Sequence, residues 1–194
     1  MRTKSFFIVA FFVCLPFSAF SQWGVKAGID WGTLAGYTYS NYKTGFHVGV
    51  TYDAKLSKKF YFQPALLFSH HRFGYDKSEI LDAGVIDKYL IEIPANISFR
   101  PSISPSAKLA IDYGLYVKYG LFGDTKYDYL DGTSVVKSAY DAYNRFDMGL
   151  NLGAGVEFAK LYVGGAFQFG LTNGEKGFKT LHNKTFRISM GYKF

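Results

Sequence analysis

Strict alternation governs segment after segment of this chain between residues 23 and 194. Apolar side chains recur at every second position, the two-residue period of a strand with two unlike faces. Eight such segments are predicted, at about 23–33, 44–55, 59–73, 88–100, 107–122, 144–159, 160–172 and 184–194. One face opens with Val25, Ala27, Ile29 and Trp31 and ends with Phe186, Ile188, Met190, Tyr192 and Phe194. Over all eight segments it holds 45 positions without one charge. The other face carries Lys26, Asp30, Asp53, Glu92, Arg100, Asp112, Lys118, Asp147, Glu157, Arg187 and Lys193, set among Gly, Ser, Thr, Asn and Gln. The fold class is therefore all-β.

The connections alternate as well. They run long (34–43), short (56–58), long (74–87), short (101–106), long (123–143), short (159–160) and long (173–183). This rhythm predicts an eight-stranded antiparallel up-and-down transmembrane β-barrel, with short turns in the periplasm and long loops outside. A soluble lipocalin-type barrel competes, with its apolar face inward around a ligand. Eight strands leave only a tight interior. The face bearing Gly28, Gly32, Gly49, Gly114, Gly120, Gly149 and Gly153 suits that crowding, and the bulky face suits lipid. Aromatic residues fall at both ends of the strands, with Trp31, Tyr89, Tyr127 and Tyr129 at one and Trp23, Phe60, Phe99, Phe158 and Phe194 at the other. Two such girdles mark bilayer interfaces.

The first 21 residues read as a cleaved signal peptide. Arg2 and Lys4 precede the uncharged stretch Phe6 to Phe17, and Ala19 and Ser21 fit a cleavage site before Gln22. The barrel domain is then 22–194, in the bacterial outer membrane. The one cysteine, Cys14, falls within the signal, so disulfides and thiolate metal sites are excluded from the barrel. Without Arg2 and Lys4, the remaining 20 basic and 15 acidic residues leave a net charge of +5. The loop cations are interspersed with acids, as Lys77 is with Asp76 and Glu79, so no basic stripe offers itself to nucleic acid. Gly149-x-x-x-Gly153-x-Gly155 lies within a strand with no helix after it, which is barrel packing and no nucleotide loop.

Several segments resemble the PorT-like family of bacterial outer-membrane β-barrels, a small porin-family domain. Arg145-Phe-Asp-Met-Gly-Leu-Asn-Leu-Gly-Ala-Gly-Val-Glu-Phe with Leu161-Tyr-Val-Gly-Gly-Ala-Phe-Gln-Phe-Gly-Leu-Thr-Asn is similar to that family's strand six–seven hairpin. Tyr89-Leu-Ile-Glu-Ile-Pro, Phe62-Gln-Pro-Ala-Leu-Leu-Phe-Ser and Arg187-Ile-Ser-Met-Gly-Tyr-Lys-Phe resemble its strands four, three and eight. Gly114-Leu115-Tyr116 departs from the Gly-Pro-Tyr of the pattern. The resemblance implies a fold and a location, with no single activity.

Inward charges need partners, because leaving one unpaired in a dry interior costs about 3–5 kcal/mol. Relative strand heights predict two ion-paired groups, Glu92/Lys118/Asp147 and Asp30/Arg187, filling the lumen. Water-filled pores need about 16 strands, so a wide channel is excluded. His47, His70, His71 and His182 show no readable nucleophile–base–orienter spacing, and no catalytic residue is assigned. His70 and His71 point to opposite faces, which argues against a metal pair. No cofactor is implied. The long connection 123–143 is the best candidate for partner contact, through Tyr127, Tyr129, Tyr140 and Tyr143. Expected partners are outer-membrane lipid and lipopolysaccharide, whose phosphates Lys43, Lys176, Lys179 and Lys184 could meet, and an extracellular or secretion-machinery protein. The function read from these features is a membrane-anchored scaffold or adhesion protein. The alternative is a small outer-membrane hydrolase of lipid or peptide, or a secretion-system accessory barrel.

Overall fold

The computed structural model describes residues 22–35, 40–75, 81–174 and 182–194. The expected signal, 1–21, and the loop residues Lys176 and Lys179 lie outside them. The strands are β1 (Trp23–Ala35), β2 (Ser40–Tyr52), β3 (Ala54–Lys55), β4 (Phe60–Tyr75), β5 (Leu81–Phe99), β6 (Ala107–Tyr129), β7 (Ser134–Ser138), β8 (Phe146–Phe158), β9 (Leu161–Gly170) and β10 (His182–Lys193). One short helix, α1 (Ala139–Ala142), follows β7.

Each strand pairs antiparallel with its sequence neighbour, and β1 pairs with β10, so the sheet closes on itself. β3 continues β2 along β4 after one irregular residue, Asp53. β7 pairs only with the far end of β6. The wall is thus an eight-stranded barrel without a free edge, the closure that a bilayer demands of strands. β8 and β9 meet through Ala159 and Lys160, with Ala159 at φ 51°, in the left-handed region. Among the described residues no helix is long and apolar enough to cross a membrane.

The faces divide as the alternation requires. Val25, Ile29, Leu66, Ile93, Leu115, Leu152, Val163 and Ile188 are exposed on the outside, whereas nine of the eleven inward charges are buried, among them Glu92 and Asp30. The core is polar and the surface apolar. Among the described residues, a buried apolar cluster of Phe73, Ile86, Ala139 and Tyr143 gathers about α1 at the end with the long connections.

That end departs from the sequence reading. The segment expected as an irregular loop, 123–143, continues β6 to Tyr129, turns, and returns as β7 before entering α1. Gly132 takes φ 83° in the turn, which a β-carbon would oppose, and Asp131 accepts the Thr133 N–H at 2.8 Å. A bulge also changes the phase of β6. Tyr89 pairs with Phe122 while Leu90 pairs with Gly120, so Leu121 is the extra residue. Leu121 and Phe122 both face outward, and beyond them Thr125 is the buried member of the alternation. Arg145 donates to the Gly120 and Leu121 carbonyls at 2.9 and 2.7 Å, just past the last β6–β8 pair, Tyr119 and Phe146.

Candidate functional site

The lumen is built in three levels, and strand register sets each one. At the short-turn end, Asp53, Arg100, Glu157 and Lys193 form a ring of opposite charges. Arg100 grips Asp53 with both terminal nitrogens, at 2.5 and 3.0 Å, and lies 3.4 Å from Glu157. Lys193 reaches Asp53 at 2.6 Å and also pairs with Glu157. Gln63 donates to Asp53 at 2.6 Å. All four charges were legible as inward residues, yet their grouping was not, because they stand at or beside the ends of different strands.

The middle level is an ionic belt. Arg187 faces Asp30 directly in the β10–β1 register. Its two terminal nitrogens donate to Glu92 at 2.8 and 3.0 Å, and the second also donates to Asp30 at 3.3 Å. Gln168 donates to Glu92 at 2.6 Å and accepts from Lys118 at 2.8 Å, and Lys118 lies 4.0 Å from Glu92. Glu92 has 0% exposure, Asp30 1% and Arg187 4%, so the belt is buried from bulk solvent.

The expected two groups are therefore one. A guanidinium is planar and presents several donors, so Arg187 spans both carboxylates where a single-point cation would choose one. Asp147 stands apart from them. It is opposite Lys118 in the β6–β8 register but accepts from Thr172 at 2.6 Å, Asn183 at 3.0 Å and Tyr116 at 3.3 Å. Three neutral donors satisfy it, and Lys118 turns to Gln168 and to the face of Tyr116.

Beside the belt runs a chain that sequence reasoning missed. His47 lies 2.8 Å through Nδ1 from Asp30 Oδ1 and 2.9 Å through Nε2 from Ser189 Oγ. The ring crosses over Gly28, which pairs with His47 on one side and Ser189 on the other. A β-carbon at Gly28 would fall 2.6 Å from His47 Cε1, so the crossing needs glycine there. A glycine flanked in both registers by polar inward residues was the available signal, and it becomes readable only once the pairing is known. His71 Nε2 approaches the other oxygen of Asp30 at 3.7 Å.

At the long-connection end, the four tyrosines proposed for partner contact separate. Tyr127 and Tyr129 stay partly exposed on β6 above the barrel. Tyr140 and Tyr143 are buried and close the mouth instead. Tyr140 lies against Gly120, where a β-carbon would come within 2.2 Å of its ring, and it donates to the Tyr89 carbonyl at 3.3 Å. Burial pushes its phenol up to about 12. Tyr143 packs its ring 3.9 Å from the buried ammonium of Lys88. Tyr140 settles over Gly120, and Tyr143 packs with Phe73, Ile86 and Ala139, which takes both rings out of water.

The other candidate histidines lie outside this column. His70 faces outward, 2.7 Å from Asp87 and stacked on Tyr89. His182 reaches the Thr172 carbonyl at 3.3 Å. Lys184 sits over the ring of Phe169, and Lys43 is exposed. Among the described residues, no three His, Cys, Asp or Glu side chains converge as metal ligands. Among the small spaces in the lumen, two are of about 20 Å³ each. One lies above the belt among His71, Lys88, Lys118, Tyr140 and Asp147, and the other below it among Lys26, Gln63, Asn96, Asp112 and Ser189.

A family model described as "Outer membrane protein beta-barrel domain" matches residues 9–174. No curated protein matches the sequence. Among solved structures, the chain is similar to Ail, the attachment invasion locus protein of Yersinia pestis, at 16% identity, covering 90% of this chain and 99% of that one, with a TM-score of 0.47. It is similar to Neisserial surface protein A at 13% identity, over 89% and 97% of the two chains, with a TM-score of 0.48. It is similar to OprG from Pseudomonas aeruginosa at 12% identity, over 90% and 96%, with a TM-score of 0.47.

Proposed function

The chain belongs to the outer membrane protein beta-barrel domain family, and from that premise we propose that it is a membrane-anchored scaffold or adhesin with a plugged lumen. The observation that carries this reading is the extension of β5, β6 and β7. A strand crosses the hydrocarbon layer in about 9–11 residues. β6 has 23 residues and β5 has 19, so both continue well past it. With β7 they make a three-stranded platform outside, bearing exposed Leu130 and Val136 and the partly exposed Tyr127 and Tyr129. The ionic belt supports the plugged lumen, because its charges leave no room for a hydrated ion among them. Export by the signal 1–21 is part of the proposal, as is lipopolysaccharide contact through Lys43 and Lys184. Within the family, the hairpin 145–173 favours the PorT-like branch.

The test removes the platform and keeps the wall. Replacing residues 124–138 by a short turn should leave a folded barrel, seen as heat-modifiable migration on a gel. Cells carrying it should lose attachment to host-cell monolayers. Undiminished attachment by the shortened barrel would overturn the adhesin reading.

One observation favours the hydrolase alternative. Ser189, His47 and Asp30 have the contact order of a nucleophile, a base and an orienting acid. All three are buried, and the space beside Ser189 admits one water, which weighs against a lipid or peptide substrate. Labelling of Ser189 by a small fluorophosphonate would favour the enzyme over the scaffold. The secretion-accessory alternative would show as co-purification with secretion-machinery proteins that the platform deletion abolishes.

A further inference from the structure

We infer that the lumen carries a proton relay, running Ser189–His47–Asp30–His71, that moves H⁺ across a belt closed to every larger ion. The inference needs only a folded barrel and does not rest on the adhesin reading. Each of the two lumen spaces, at about 20 Å³, exceeds the roughly 10–15 Å³ that one water requires. Each has polar groups in its lining, His71, Lys88 and Asn144 above and Gln63, Asn96 and Ser189 below. Between them Arg187 ties Glu92 to Asp30, at 2.8 and 3.2 Å, with all three side chains buried. A hydrated cation cannot pass that point, but a proton needs no passage, only groups that accept and release it in sequence.

Such groups join one space to the other. Ser189 borders the lower space, and its hydroxyl is 2.9 Å from His47 Nε2. His47 Nδ1 is 2.8 Å from Asp30 Oδ1. Asp30 Oδ2 is 3.7 Å from His71 Nε2, and His71 borders the upper space. His71 Nε2 is buried and makes no hydrogen bond. A lumen that was only filled would not need two imidazoles on opposite oxygens of one carboxylate, one of them with an unused nitrogen. Ionisable side chains at membrane depth are costly, and chains of Asp and His there are the usual means of moving protons.

The transfer balances without redox chemistry. A hydronium in the lower space gives H⁺ to the Ser189 oxygen and is left as water, as the hydroxyl proton passes to His47 Nε2. The Nδ1–H bond of His47 breaks as an O–H bond forms on Asp30. The carboxyl turns and delivers that proton to His71, which releases one to water in the upper space. Ring and hydroxyl rotations then reset the chain. The charged groups facing it are Arg187, Glu92 and Lys118 at the belt, Lys26 and Asp112 about the lower space, and Lys88 and Asp147 about the upper one.

The full barrel would be reconstituted in liposomes holding a pH-sensitive dye, with a potassium gradient and valinomycin supplying the driving voltage. Wild type should admit H⁺ faster than protein-free vesicles, and a planar bilayer should show no potassium or chloride current. His71→Leu and His47→Phe should each lose the flux down to the protein-free level. His71→Gln keeps a hydrogen-bonding shape without a titrating ring, so it serves if the leucine variant does not fold, and it should also lose the flux. Lys58→Ala, in a short turn, should keep it. Wild-type flux equal to that of empty vesicles would overturn the relay, as would a folded His71→Gln that conducts like wild type. A potassium current matching the proton flux would overturn it too, since that would mean an open pore.

Discussion

Replacing Arg187 with methionine strikes the belt at the residue that joins its halves. Methionine keeps much of the length and packing but removes every donor, so Glu92 loses bonds of 2.8 and 3.0 Å and Asp30 loses contacts of 3.3 and 3.2 Å. For two unit charges about 3 Å apart, an effective dielectric of about 20 gives roughly 5–6 kcal/mol of attraction before desolvation is counted. The native pairs return little of that as net stability. The variant nevertheless forfeits it, because both carboxylates stay buried while Lys118 alone remains near Glu92. The expected net loss is about 3–5 kcal/mol. Urea unfolding of the barrel from lipid vesicles would measure it through Trp23 and Trp31, both on β1, with the slope against urea checked for constancy. Adding Glu92→Gln and Asp30→Asn to Arg187→Met should recover most of the loss, since the triple variant buries no uncompensated charge. A loss below about 1 kcal/mol, the scale of an exposed surface pair, would refute the reasoning, for the belt would then be solvated.

Leu150→Arg puts a charge on the lipid face and should cost about 2–4 kcal/mol in the same unfolding assay, with poor insertion into vesicles. Gly120→Val should expel Tyr140 from the mouth, because even a β-carbon would lie 2.2 Å from its ring; nitration by tetranitromethane, with mass mapping, should show Tyr140 reactive only in the variant. Tyr140 itself should ionise near 12 in an ultraviolet titration. Since the unfolded phenol ionises near 10, its contribution to stability is complete below about pH 10 and is lost between about 10 and 12, so the mouth should loosen there and not under acid. N-terminal sequencing of the exported protein should begin at Gln22.

How far the fold could be read follows from what alternation measures. A two-residue period reports which side of a strand meets lipid, and it holds wherever the wall crosses hydrocarbon; the outward phase of Leu115, Leu152 and Ile188 needed nothing more. Beyond the hydrocarbon that pressure ends. The Leu121 bulge shifts the pattern by one residue, and the Thr125–Tyr129 stretch then mixes charged, hydroxyl and aromatic side chains, so β6 read as a loop there although its strand continues. Val135 and Val136 beside the Asp131-Gly132 pair were the only local hint of β7. The lumen was legible as a list of residues and illegible as a set of partners. Partnership depends on stagger between strands distant in sequence, and a shift of two residues exchanges one neighbour for another on the same face. Lys118 and Asp147 illustrate the point, since they are opposite in register yet turn to other partners, Lys118 to Gln168 and Asp147 to Thr172. His47 and Ser189 illustrate the converse. They lie 142 residues apart and on different strands, and they meet because Gly28 on the strand between them has no side chain to hold them apart. Thus the glycines of a barrel this narrow do more than fit its crowded interior: an absent side chain on one strand decides which polar groups on its neighbours can touch, and so where a buried charge finds its partner.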